Sequence, residues 1–111
     1  MTDLPIAETD ERARLTRPTL SLCMNAAHLL RQVRTSKARE IADARLDGVA
    51  SILWSLGYGW TPEMVRRTIL DTYDQVVLDE GPRPESGSHR ARAWHRTMAV
   101  RIERALTALD R

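Results

Sequence analysis

Apolar residues recur at three- and four-residue intervals through most of the chain, the period of helices that bury one face. Leu22, Ala26, Leu29, Leu30 and Val33 make one such stripe, following Pro18, which suits the first turn of a helix. Ser21, Asn25, His28 and Gln32 lie on the other side. The stripe does not continue beyond Val33: its projection lands on Ser36, Glu40 and Asp47. A second stripe begins with Ala38, Ile41, Ala42, Val49, Ile52, Leu53 and Leu56, offset from the first by roughly 150° at about 100° per residue. One straight helix would face both ways, so a break is expected at Arg34-Thr35-Ser36, with Thr35 or Ser36 capping the second helix.

The segment Gly57-Tyr58-Gly59-Trp60-Thr61-Pro62 punctuates the pattern most strongly. Its glycines stop one helix. Thr61, Pro62 and Glu63 supply a cap, a first-turn proline and an acid at the positive end of the next. The third stripe is Val65, Ile69, Tyr73 and Val76, with Leu70 and Val77 at its edge. Glu80-Gly81-Pro82 closes it and leads into the loop 81–89. A last stripe joins Ala91, Trp94, Met98, Ala105, His95, Ile102 and Leu109 behind Ser88, a capping residue.

The pattern predicts an all-α, single-domain, four-helix bundle-like arrangement with helices at about 18–34, 37–56, 62–80 and 89–110. Residues 1–15 form a flexible N-terminal arm and 16–111 the helical domain. The 111 residues suffice for one modest core, and the short connections favour antiparallel neighbours. Phe is absent. No stretch is apolar enough to span a membrane. Arg12, Arg14 and Arg17 precede a partly apolar run that Asn25 and His28 interrupt, with no small-residue cleavage site after it. Cys23 is the sole cysteine, so no intrachain disulfide is available. A cytoplasmic protein is the expectation.

Charge adds an asymmetry. The net charge is only +2, yet residues 36–81 carry eight acids against five bases and residues 82–111 seven arginines against three acids. Lys37 is the only lysine. An acidic middle and a basic tail either screen one another in the fold or present sign-selective docking faces. The helix after the glycine turn resembles the second helix of a helix–turn–helix, but Glu63, Asp71, Asp74, Asp79 and Glu80 outweigh Arg66 and Arg67. Such a helix is poorly suited to a groove walled by phosphates. The last helix, with Arg90, Arg92, Arg96, Arg101 and Arg104 and with Arg83 just upstream, is the better candidate for nucleic acid or an acidic partner.

Chemical motifs are absent. His89 and His95 diverge by about 120° on a helix, and no Cys-x2-Cys or His-x3-His occurs, so no metal or cofactor is expected. No nucleophile elbow or phosphate-binding glycine loop is present. Asp43 with Asp47, and Asp71 with Asp74, are paired carboxylates of a kind common on solvated helix faces. Arg67, four residues before Asp71, makes an ordinary helix ion pair.

The sequence therefore points to a small non-enzymatic regulator or inhibitor that binds a protein partner. Trp54, Tyr58, Trp60, Asp43 and Asp47 are its candidate contact residues. Trp60 either plugs the corner between helices or is offered to the partner. Nucleic-acid binding through the arginine-rich last helix is the alternative. A homodimer through the heptad-like stripe of that helix is a further option. In length and arginine bias the chain resembles small phage or mobile-element proteins, without a motif match.

Overall fold

A computed structural model describes residues 15–55 and 59–109. Four helices succeed one another: α1 Arg17–Gln32, α2 Ser36–Ser55, α3 Pro62–Glu80 and α4 His89–Ala108. Each starts on a hydroxyl that accepts a backbone N–H of the first turn: Thr16 from Thr19, Thr35 from Ala38, Thr61 from Met64, Ser88 from Ala91. The expected break is present. Val33 turns to an extended conformation and Thr35 is the cap that restarts the chain. Gly81, with φ of 87°, ends α3 in a conformation that a side chain would strain. Gly57 and Tyr58 lie outside the described residues, while Gly59 is not among the described glycines of positive φ.

The helices pack in a ring, α1 on α2, α2 on α3, α3 on α4 and α4 back on α1, with a further contact between α1 and α3 across it. One apolar cluster fills the interior. It includes Leu30, Leu46, Leu53, Val65, Ile69, Tyr73, Trp94, Met98, Ile102 and Leu106. Trp60 is 1% exposed and belongs to it, so the corner between α2 and α3 is plugged by its indole.

Two helices are rolled relative to their expected faces. In α1 the buried residues are Leu20, Cys23, Met24, Ala26, Ala27 and Leu30, whereas Leu22 is half exposed. This helix packs against all three others, so its buried arc is broad, and small residues sit where helices approach closely. In α2 the buried set is Ala42, Leu46, Val49, Ala50 and Leu53, leaving Ile41 and Ile52 outside. That roll carries Asp43 and Asp47 to Arg66 of α3. The stripes expected for α3 and α4 are buried as read, with Leu106 added to α4 and with His95, Ala105 and Leu109 only half-buried. Because the α4 stripe is used inside the chain, it is not available as a dimer seam.

Candidate functional site: a basic groove between α1 and α4

The acidic and basic parts of the chain meet across helix boundaries. Arg31 of α1 makes a two-pronged contact with Asp74 of α3, Nε–Oδ1 3.0 Å and Nη2–Oδ2 2.9 Å. Arg66 bridges Asp43 and Asp47 of α2, reaching Asp47 at 3.0 Å. These hydrogen bonds, led by that to Asp43, push the Arg66 pKa up. Arg101 of α4 donates to Asp79 of α3 at 2.8 Å and holds that carboxyl below its usual range, with help from Gln75. Arg67 pairs at 3.9 Å with Glu63 rather than with Asp71, both ends being well exposed. The screening of the acidic middle by arginines of α1, α3 and α4 is thus part of the fold.

The arginines of α4 consequently divide. Arg101 faces α3, and Arg104 shares a shallow concavity with it beside Asp71 and Gln75. Arg90 is exposed at the start of the helix. Arg92 and Arg96 face α1, where a groove of about 530 Å³ runs between the two helices. Arg17 of α1 joins them on its rim. Leu15, Leu20, Met24, Ala99 and Val100 form its apolar lining, and Glu103 is the one acid there among the described residues. His95 borders the same groove, its Nε2 buried with no hydrogen-bond partner among the described residues. Burial, then the nearby Arg83, hold His95 below its usual pKa, so the ring is neutral near pH 7.

A second concavity, of about 500 Å³, opens between α1, α3 and the 81–88 connection. His28 Nδ1 and the Tyr73 hydroxyl share a hydrogen bond of 2.6 Å at its inner side. Tyr73 packs edge-on against Trp94, ring centroids 6.0 Å apart, and Trp94 donates through Nε1 to the carbonyl of Gly81 at 3.0 Å. Burial, then the charge of Arg83 and the repulsion from His95 when that ring is protonated, lower the His28 pKa. Burial raises that of Tyr73, so both groups are neutral near pH 7. Arg83 reaches Asn25 at 3.2 Å and pairs with no carboxylate among the described residues.

The sequence-derived contact residues are not gathered into one face. Trp54 is 57% exposed, but Trp60 is interior and Tyr58 lies outside the described residues. Asp43 and Asp47 are engaged by Arg66. Arg83 belongs to the His28 cleft, separate from Arg92 and Arg96. Sequence reasoning missed Arg17 as a groove residue and the pairing of His28 with Tyr73. These depend on which helices are neighbours, which no local pattern encodes.

Among the described residues no three His, Cys, Asp or Glu side chains gather as a metal-binding set, and no helix is long and apolar enough to cross a membrane. Cys23 is buried, which pushes its thiol up to about 12 and leaves it without thiolate character near pH 7. Comparison of the chain with protein-family models, curated proteins and solved structures gives no match.

Proposed function

We propose that this protein is a non-enzymatic binding module, a regulator or inhibitor, that seats an acidic amphipathic segment of a protein partner in the α1–α4 groove. One observation carries the proposal. Arg92 and Arg96 face an apolar-lined groove joined by Arg17, while Arg101, on the opposite flank of the same helix, is engaged by Asp79. A partner offering carboxylates flanked by aliphatic side chains would complement both the rim and the lining. The setting in this proposal is cytoplasmic, consistent with a single reduced cysteine in the interior.

The apolar part of the groove lining favours a protein partner over nucleic acid in this proposal. Phosphate backbones gain from Arg17, Arg92 and Arg96 but have nothing to bury against the exposed Val100. A displayed random-peptide library selected on the wild-type chain, and counter-selected on the Arg92→Gln, Arg96→Gln double variant, tests the proposal. Enrichment of sequences combining Asp or Glu with Leu, Ile or Met is expected. Mixed-sequence duplex DNA is titrated in parallel across a salt series. Tight DNA binding with steep salt dependence, and no acidic–aliphatic enrichment, would support the nucleic-acid alternative instead. Selected peptides that lose binding on Trp54→Ala and keep it on the double variant would move the contact face to α2.

A further inference from the structure

The cleft between α1, α3 and the 81–88 connection has a composition distinct from the groove. One wall carries Arg31 and Asp74, which satisfy each other through two hydrogen bonds. The 81–88 connection carries Arg83, whose one described hydrogen bond uses Nη1 on the neutral amide of Asn25. His28 and Tyr73 are polar but uncharged. Among the described residues the cleft therefore holds one guanidinium uncompensated by a carboxylate, next to two neutral hydrogen-bonding groups.

The remaining boundary is apolar. Val77, Leu78 and Pro82 form it, and Leu78 is 79% exposed, the most exposed of the large hydrophobic residues described. A leucine so placed at the lip of a concavity gains nothing from the fold itself, and gains burial only when something occupies the space beside it. The volume of about 500 Å³ falls within the range of small-molecule sites.

We infer that this cleft is a binding site for a small anionic amphiphile, its anionic head on Arg83 and its apolar body against Val77, Leu78 and Pro82. The head is a carboxylate or a phosphate monoester. Both accept charge-assisted hydrogen bonds from a guanidinium, and the carboxylate matches the one uncompensated positive charge more closely. The neutral His28–Tyr73 pair uses one of its two protons on its own hydrogen bond and leaves one donor for the head without adding charge. The site is separate from the α1–α4 groove and does not depend on it.

Isothermal titration of the full chain with octanoate, octyl phosphate and octanol tests this inference. Saturable one-to-one binding of at least one anion is expected, with octanol weaker by about tenfold or more. The relative affinity of octanoate and octyl phosphate identifies the head group. Arg83→Gln weakens the anion by about tenfold or more, and Leu78→Ser by about threefold, whereas the Arg92→Gln, Arg96→Gln double variant stays within about twofold of wild type. Leu78 is nearly free of intramolecular packing, so its variant keeps the test informative should Arg83→Gln lose the fold. Absence of saturable binding up to millimolar concentration, octanol binding as tightly as the anions, or equal binding by Arg83→Gln and wild type would each overturn the inference.

Discussion

The two flanks of α4 carry the same residue type in different service. On the α3 side, Arg101 meets Asp79 at 2.8 Å and helps hold the acidic helix against its neighbour. On the α1 side, Arg92 and Arg96 rim an apolar groove in which Glu103 is the one acid among the described residues. Arginine density alone makes the helix look like one basic surface. The partners supplied by adjacent helices decide which charges are structural and which remain available to another molecule.

Substitutions on and around α4 break or sharpen that contrast. The largest effect belongs to the core that positions both flanks. Ile102 is fully buried, and Ile102→Ala is expected to lower unfolding free energy by about 2–5 kcal/mol in urea titration. A change below about 1 kcal/mol would mean that α4 is not seated as described, and the division of its arginines would fall with it. Next is Tyr73→Phe, which removes the hydrogen bond to His28 beneath the second cleft and should cost about 0.5–1.5 kcal/mol in the same titration.

The engaged arginines give smaller effects. Arg101→Gln should lower Tm by about 1–2 °C, since the pair is exposed, and leave affinity for groove-selected peptides within about twofold. Its pH dependence has a definite sign. Arg101 depresses the folded pKa of Asp79, so the contribution is present above the usual carboxylate pKa and lost as pH falls through the folded value. Wild type and Arg101→Gln should therefore converge in Tm in strong acid and differ at pH 7.

His28 and His95 provide the smallest signal. Both have folded pKa values below 6.5, so the unfolded chain binds more protons as pH drops through that value. Stability is full above about pH 6.5 and declines on acidification towards the folded values. Tm should fall by about 1 °C or less between about pH 7 and pH 5, a decline reduced in the His28→Gln, His95→Gln double variant. An unchanged decline would assign it to other groups.

The helices are legible in the sequence because their starts are chemical. Thr35, Thr61 and Ser88 cap where the sequence places them, and Pro62 and Gly81 mark the ends of α3. The inward face of α3 is equally plain, since Val65, Ile69, Tyr73 and Val76 repeat without ambiguity. The faces of α1 and α2 are harder to read, because Leu22, Ile41 and Ile52 attract attention as large aliphatics while Cys23, Ala27 and Ala50 fill the tight spaces. Small residues give a weak hydropathy signal but permit close helix approach. The candidate site is less legible still. Arg17 is distant in sequence from Arg92 and Arg96, and His28 lies 45 residues from Tyr73.

The division of α4 is tested most directly by a paired measurement on two variants, Arg92→Gln, Arg96→Gln and Arg101→Gln, recording Tm and affinity for one groove-selected peptide. The double variant is expected to lose about tenfold or more in affinity with Tm within about 1 °C of wild type, and Arg101→Gln to do the reverse, losing Tm and keeping affinity. Equal losses of affinity in the two variants would contradict the division and make α4 a single undifferentiated basic surface.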